Sequence, residues 1–348
     1  MFANAQIEHF RGIRSASLAD FRRLNLFWGR NDCGKTTLLE ALFLLSGCSN
    51  PRLPFNINIF RDFSRNTEDD LKLWFYGLDE HIPIVLRTRN GDSRQLVITS
   101  VHSLPDSAPD VDSDQSNPES KLYGLKLSFK YNDQSYTSTI KMAPRSENPP
   151  EIIQDRAQGY TENLHTRLVF ANYGFERVTD ILKEIIKNND KSYILESLQS
   201  FDSRVVDWNM VDNYVLVDIG LGALVPINIM GNGIRKLLVV TSTIYSCKNG
   251  IVFVDEIDNG VHFSKFQTIW DCVIKAATRM NVQVFATTHS LDCLRGFSSA
   301  LDEFEITDSV DIGRGFVLEN TNDGILHSDP YSSYQLKFAF ANDFDIRL

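Results

Sequence analysis

A glycine-rich segment close to the N-terminus has the residue types and the spacing of a phosphate-binding loop. Residues 29–36 are Gly-Arg-Asn-Asp-Cys-Gly-Lys-Thr and fit the pattern G-x-x-x-x-G-K-[ST]. Backbone N–H groups in such a loop surround phosphates, the lysine reaches the β- and γ-phosphates, and the threonine hydroxyl can bind Mg²⁺. We therefore expect the loop to bind a nucleotide through the following residues: Gly29, Asn31, Cys33, Gly34, Lys35, Thr36 and Thr37.

Two acidic residues follow an apolar run farther along the chain. Residues 251–254, Ile-Val-Phe-Val, predict a parallel strand that is buried on both faces. Ligands of open α/β sheets bind at the carboxyl ends of strands, where Asp255 and Glu256 follow. We expect Asp255 to hold Mg²⁺ together with Thr36, and Glu256 to polarise the water that attacks the γ-phosphate. Such a run is common by itself, so this interpretation depends on the loop at Lys35.

A histidine follows the next apolar strand, which is predicted over residues 282–288. At the end of a strand, His289 can hydrogen-bond a γ-phosphate and sense its presence. A single histidine is more commonly a structural residue, but its position one strand after the two acids favours the γ-phosphate role. Lys35, Glu256 and His289 are therefore the predicted catalytic residues.

The elements that must position these residues follow from the flanking patterns. Apolar residues 24–28 predict a strand before the loop, and residues 37–45 predict a helix after it. Residues 82–142 contain four stretches of strand-like alternation, with Asn90-Gly91 and Asn132-Asp133 between pairs of them, which predicts two hairpins.

We predict a single domain over residues 1–348. Its parts would be a nucleotide-binding core over residues 1–50 and 214–348, a β-rich insertion over 51–167, and a helical subregion over 168–213. Within the insertion, residues 103–120 are rich in Pro, Ser and Asp, residues 143–163 contain Pro149-Pro150, and both stretches predict mobile loops. Each loop is either a solvated connector or a contact for a partner.

Composition limits the class of protein. Hydrophobic residues make up 43% of the chain, which is enough for a core, and the net charge is −10. The negative charge argues against a protein coated for nucleic-acid binding but allows a local basic groove. No run approaches the roughly 18 apolar residues of a membrane span, and we see no signal peptide. The five scattered cysteines favour reduced thiols, so we expect a cytoplasmic protein without a membrane partner.

The spacing of the motifs separates families of nucleotide hydrolases. Lys35 and Asp255 lie about 220 positions apart, whereas ring-forming AAA+ ATPases and small GTPases place these elements much closer. A long insertion is instead a feature of ATP-binding-cassette (ABC) ATPases, especially of the SMC-like branch. Residues 230–238 resemble the L-S-G-G-Q-R signature of that class, with Gly231 at the serine position. The resemblance implies that Gly231, Asn232 and Gly233 bind the nucleotide of the opposite protomer.

Two further segments resemble the OLD-like (overcoming-lysogenization-defect) branch of these ATPases. Residues 255–262 match its D-E-x-[DE]-N-G-[LV]-H run, and residues 10–13 match its F-R-x-[IF] element. The second match implies that Arg11 lies near the nucleotide, although a surface arginine beside a strand fits equally. Residues 171–174 are the best candidate for the Q-loop. The stretch after His289 is too short for a Toprim nuclease domain, so the chain resembles a stand-alone ATPase of this group.

The resemblance implies an α/β P-loop NTPase of ABC ATPase type. Its fold would be a mostly parallel central sheet flanked by helices, with an N-terminal antiparallel β lobe and a long mixed insertion between Walker A and Walker B. We expect an ATP-hydrolysing switch that uses ATP and Mg²⁺ and acts as a head-to-tail dimer or a multiple of dimers. By analogy, it would control a separately encoded effector, such as a nuclease, in a prokaryotic defence system.

Two alternatives stay open at this stage. One is a DNA-repair ATPase that resembles RecF, with nucleic acid as the partner and a basic edge formed by Arg11, Arg14, Arg22 and Arg23. The other is an ABC transporter subunit, which the long insertion and the altered signature disfavour.

Overall fold

A computed structural model describes residues 1–61, 67–90, 92–103, 122–143, 151–171, 174–308, 311–342 and 344. In chain order the strands are β1 (Ala5–Phe10), β2 (Ile13–Leu18), β3 (Leu24–Trp28), β4 (Ile84–Asn90), β5 (Asp92–Ser103), β6 (Leu122–Tyr131), β7 (Gln134–Ala143), β8 (Glu151–Asp155), β9 (Thr166–Val169), β10 (Asp207–Val211), β11 (Tyr214–Asp218), β12 (Val225–Pro226), β13 (Ile251–Val254), β14 (Gln283–Thr287), β15 (Gly313–Asn320) and β16 (Ile325–Tyr331). The helices are α1 (Lys35–Ser46), α2 (Leu53–Phe60), α3 (Glu68–Lys72), α4 (Thr179–Lys187), α5 (Lys191–Phe201), α6 (Asn232–Ser246), α7 (Phe266–Met280), α8 (Leu291–Asp308) and α9 (Ser333–Ala341).

Within the described residues, thirteen strands form one mixed sheet in the order β8-β7-β6-β5-β4-β1-β2-β16-β15-β3-β14-β13-β9. At one end of this order, the neighbouring strands β15, β3, β14, β13 and β9 run parallel to one another. At the other end, each of the strands β8, β7, β6, β5, β4, β1 and β2 pairs antiparallel with the next one in the order. The predicted α/β fold with an antiparallel β lobe is thus confirmed, and the lobe is a continuation of the same sheet.

Helices cover both faces of the parallel part, because its strands are apolar on both sides. Phe27, Phe253 and Phe285 come from three neighbouring strands and lie on the face that α1 covers. The rings of Phe27 and Phe285 stack with their centroids 6.2 Å apart. Val252 and Val284 point to the other face, in the same apolar cluster as buried residues of α6 and α7. The carboxyl ends of β3, β13 and β14 are therefore held side by side.

The structure adds elements that the sequence patterns missed. Residues 151–155, which the sequence places in the second mobile loop, form β8 at the edge of the sheet. Nearly all of the first loop, 103–120, lies outside the described residues. The small sheet β10-β11-β12 includes a hairpin that crosses the predicted boundary between residues 213 and 214. The division into subregions stays a prediction.

Candidate functional site

The phosphate-binding loop connects β3 to α1, as its sequence predicts. Gly29 has a φ of +156°, and a Cβ at this position would lie 2.3 Å from the carbonyl oxygen of Leu318. Gly34 precedes α1 with a φ of +96°. Because side chains disfavour positive φ, both positions require glycine. The loop geometry therefore depends on the two glycines that define the motif.

Lys35 is held within this loop. Its Nζ donates to the carbonyl oxygens of Gly29 at 2.9 Å and Arg30 at 2.7 Å. The same atom lies 3.7 Å from Sγ of Cys33. Both Lys35 and Cys33 are buried, with 4% and 6% of their surface exposed. The Cys33 side chain thus packs beneath the loop and does not line a cavity found at the site.

Asp255 accepts two hydroxyl hydrogen bonds directly after β13. Oγ1 of Thr36 donates to its carboxylate oxygens at 3.0 and 3.1 Å. Oγ1 of Thr287 donates to Oδ1 at 2.7 Å. Parallel pairing of Val254 with Ala286 places Thr287 beside Asp255. No motif in the sequence indicated this contact of Thr287, and its position at the end of the neighbouring strand was the available signal.

Glu256 follows in a left-handed conformation with a φ of +47°. Its N–H donates to Oγ1 of Thr287 at 2.8 Å, and its carbonyl accepts from Nζ of Lys236 at 3.0 Å. Burial lowers the pKa of Lys236, while the nearby acids oppose this effect. Oε1 of Glu256 lies 3.4 Å from Nε2 of His289. The backbone of Glu256 is therefore anchored, and its half-exposed carboxylate faces the histidine.

One open cleft of about 620 Å³ lies beside the phosphate-binding loop. Its walls consist of Asn31, Asp32, Gly34, Lys35, Thr36, Thr37, Arg61, Glu256 and His289. A neighbouring cavity of about 360 Å³ is lined by Gly29, and Asn31 and His289 line both cavities. Of the predicted loop residues, Asn31, Gly34, Lys35, Thr36 and Thr37 line this cleft together with Glu256 and His289, and the structure adds Arg61, for which no motif was visible.

Arg11 does not line this cleft. Its Nε lies 3.2 Å from Oε2 of Glu40, a fully buried carboxylate of α1, and its guanidinium lies 4.7 Å from the ring centroid of Trp74. Burial, opposed by Glu40, lowers the pKa of Arg11 to about 10. The other oxygen of Glu40 accepts from Nε of Arg61 at 2.6 Å. In this structure Arg11 supports α1 from inside the core, and Arg61 is the arginine that reaches the cleft.

The signature-like turn lies at a different cavity. Gly231 has a φ of +94°, and Asn232 begins α6. Asn232, Asn259 and Gly260 line a cavity of about 200 Å³ that shares no residue with the cleft. A Cβ at Gly260 would lie 3.1 Å from Cβ of Asn232, so the loop after the two acids passes close to the start of α6. Residues 172–173 of the Q-loop candidate lie outside the described residues.

The oxygen atoms of Thr36 and Asp255 fit a magnesium ion. Mg²⁺ prefers oxygen ligands and is usually held by one or two carboxylates together with substrate phosphates. Among the described residues, no group of three or more His, Cys, Asp or Glu side chains could hold a metal. A site made of one hydroxyl, one carboxylate and phosphate oxygens is consistent with this finding.

Comparisons with known proteins show the family of this chain. Residues 24–294 match the family described as "AAA domain, putative AbiEii toxin, Type IV TA system". A Helicobacter pylori protein described as "ATP/GTP phosphatase" is 23% identical over 372 residues and covers 99% of each chain.

Two solved structures of SMC head domains align with nearly the whole chain. One is the structure of an SMC head bound to the winged-helix domain of ScpA. It has a TM-score of 0.50 and 11% sequence identity, and the alignment covers 95% of this chain and 98% of that chain. Another, from Pyrococcus furiosus, has a TM-score of 0.49 and 8% identity, and covers 98% and 99%. At such identities the likeness concerns the fold alone. None of the helices in the described part of the chain has the length and apolar character that a bilayer crossing requires.

Proposed function

The chain belongs to the AAA domain family that residues 24–294 match, and we propose that this ATP-hydrolysing enzyme is a conformational switch in which two copies enclose ATP head to tail. The observation that carries the proposal is that the signature-like turn and the cleft lie apart within one chain. Lys35, Glu256 and His289 share the cleft, whereas Asn232 of the signature-like turn lines another cavity. For that turn to complete a γ-phosphate site, a second copy must supply it.

Exposed apolar side chains flank this turn and support the proposal. Leu221, Leu224 and Ile229 precede the turn with 72%, 49% and 74% of their surface exposed. Phe263 follows the loop after the two acids and is 64% exposed. Phe201 contacts the chain after each group of exposed residues. Its carbonyl accepts a hydrogen bond from Lys265, and its ring packs on the start of α6. We propose that these exposed apolar residues belong to an interaction surface and that the second copy is its occupant.

The charged residues at the phosphate site have separate roles in this proposal. Lys35 exchanges its two carbonyl acceptors for phosphate oxygens, because hydrogen bonds between charged groups are stronger. Glu256 accepts the proton of the attacking water, and His289 donates to the γ-phosphate. Mg²⁺, when bound by Thr36 and Asp255, neutralises phosphate charge. Loss of the γ-phosphate then removes the contact to the second copy and opens the dimer.

The test is the mass of Glu256→Gln, measured by light scattering with and without ATP. This variant keeps the cleft but lacks the base, so we expect 39.6 kDa without ATP and twice this mass with ATP. Adding Ile229→Asp should abolish the ATP-bound dimer. Adding Phe338→Asp is the control, because Phe338 is also exposed but lies on α9. A mass that ATP leaves unchanged at 39.6 kDa would refute the switch.

We further propose that the ATP-bound dimer controls a separately encoded effector, such as a nuclease, in a prokaryotic defence system. The support is the resemblance of residues 255–262 to OLD-like ATPases and the AbiEii and toxin terms in the family description. A neighbouring reading frame should encode the effector. The two proteins should co-purify with Glu256→Gln in ATP, and with Lys35→Ala they should not.

A second candidate function, nucleic-acid binding, is favoured by one face of the antiparallel lobe. The arginines of the predicted basic edge are all engaged within the chain: Arg11 by Glu40, Arg14 by Asp323, Arg22 by Asp20 and Asp311, and Arg23 by Ala277 and Asn281. Strand register instead places Arg89, Lys126, Lys130 and Lys141 on one side of β4 to β7, opposite the buried Leu96 and Leu127. Ser and Thr side chains surround these four cations, as at phosphate-binding surfaces.

Salt dependence of binding to duplex DNA tests this candidate. Four phosphate contacts predict that log K falls with log salt with a slope of roughly −3.6. Lys126→Glu combined with Lys130→Glu should lower the affinity and flatten the slope. Lys183→Glu with Lys187→Glu on α4 is the control. If the wild type does not bind DNA at low salt, or if both pairs of variants behave alike, this candidate is excluded.

A further inference from the structure

Thr287 lies behind the cleft and contacts both acids that follow β13, and no motif assigns it a role. It is the last residue of β14 and is fully buried. Its hydroxyl donates to Oδ1 of Asp255 at 2.7 Å and accepts from the N–H of Glu256 at 2.8 Å. One hydroxyl thus links the two acids that follow β13.

Thr36 bonds the same carboxylate but differs in its surroundings. It lies on the wall of the cleft and donates to Asp255 at 3.0 and 3.1 Å. Thr287 does not line the cleft. A nucleotide with its metal can therefore recruit the Thr36 hydroxyl, while the bond from Thr287 stays in place. Thr287 is the hydroxyl that can hold the Asp255 carboxylate in one orientation throughout the cycle.

The backbone of Glu256 also depends on this hydroxyl. Its φ of +47° lies in the left-handed region, which is unfavourable for a residue with a side chain. The bond from its N–H to Thr287 and the bond from Lys236 to its carbonyl hold the two peptide groups that flank its Cα. Without the Thr287 oxygen, the N–H loses its acceptor and the peptide loses one of these restraints.

We propose that Thr287 is a positioning residue for ATP hydrolysis, which orients Asp255 as a metal ligand and fixes the peptide that carries Glu256. The inference rests on the proposed roles of these two acids. It predicts that removal of the hydroxyl weakens metal binding and the chemical step, and leaves the metal-free binding of ATP in place.

The test compares Thr287→Val, which removes only the hydroxyl, with Thr287→Ser, which restores it. Thr241→Val is the matched control, because Thr241 is a fully buried threonine whose hydroxyl bonds a carbonyl of its own helix α6. Three quantities are measured: ATP affinity in EDTA, affinity of the ATP complex for Mn²⁺ by electron paramagnetic resonance, and kcat with KM. Thermal unfolding confirms that each variant is folded.

We expect Thr287→Val to lower the Mn²⁺ affinity and kcat by roughly 10- to 100-fold, as for other residues that orient metal ligands. Its ATP affinity in EDTA should match that of the wild type, and Thr287→Ser should recover most of both losses. If Thr287→Val behaves like Thr241→Val, the proposal is wrong. It is also wrong if the ATP affinity in EDTA falls as far as the Mn²⁺ affinity, since that result indicates general structural support. A wild type that binds no Mn²⁺ with ATP would instead refute the metal site itself.

Discussion

Glu40 offers a quantitative test of how the core supports the phosphate-binding loop. This carboxylate is fully buried on α1, the helix that begins at Lys35, and it pairs with both Arg11 and Arg61. Glu40→Gln keeps the shape of the side chain and removes its charge. The side chain of Arg11 is only 10% exposed, so its charge stays largely buried without a counter-charge.

The magnitude follows from burial and from the length of the chain. Removing one partner of a buried ion pair destabilises a protein by about 3–5 kcal/mol. An unfolding entropy of about 2.1 cal/mol/K per residue over 348 residues converts this loss to a fall of about 4–7 °C in Tm. Glu8 pairs with Arg87 with both side chains 39% exposed. An exposed pair contributes at most about 1 kcal/mol, so Glu8→Gln should lower Tm by no more than about 1.5 °C.

Differential scanning calorimetry at neutral pH measures both variants without nucleotide. A second comparison uses Glu40→Leu combined with Arg11→Met, which replaces the buried charges by apolar groups. This double variant should be more stable than Glu40→Gln, because apolar replacement avoids an unpaired buried charge. The predicted cost of an unpaired buried charge at Arg11 is refuted if Glu40→Gln shifts Tm no more than Glu8→Gln does. It is also refuted if the double variant is as unstable as Glu40→Gln.

Three further outcomes can be measured on the same protein. Gly29→Ala should lose ATP binding in calorimetric titration, because its Cβ would meet the carbonyl of Leu318, whereas Gly12→Ala, with open space around it, should bind normally. Arg61→Ala should weaken ATP binding by about 10- to 100-fold, the value of one charge-assisted hydrogen bond. Burial raises the pKa of the four cysteines outside the loop to about 11 or 12, so at pH 8 these thiols should not react with Ellman's reagent until guanidinium unfolds the chain. Rapid reaction of the native thiols would show that these side chains are accessible.

Local patterns predicted the elements around the cleft. Residues 251–254 were expected as a buried strand and are β13, and the apolar run 24–28 is β3. The two predicted hairpins are β4-β5 and β6-β7. These predictions succeeded because apolar periodicity and turn residues act over a few neighbouring positions.

Interactions between distant segments were less visible. β8 was missed because it is a short edge strand whose Ile152 and Ile153 stay partly exposed, so its sequence lacks the alternation of a half-buried strand. Arg11 was expected near the nucleotide on the strength of a short motif. The buried carboxylate that holds it belongs to a helix residue 29 positions later, and a motif contains no information about such a partner.

The sequence alone determined which chemical groups are available: a glycine loop with a lysine and a threonine, two acids after an apolar strand, and a histidine after the next. Tertiary structure decided which of them meet. Thr36 and Asp255 are 219 positions apart and hydrogen-bonded, because parallel register brings the ends of β3, β13 and β14 to one edge. Register and packing depend on the whole core, so the pairing of Thr287 with both acids became visible only in the folded chain.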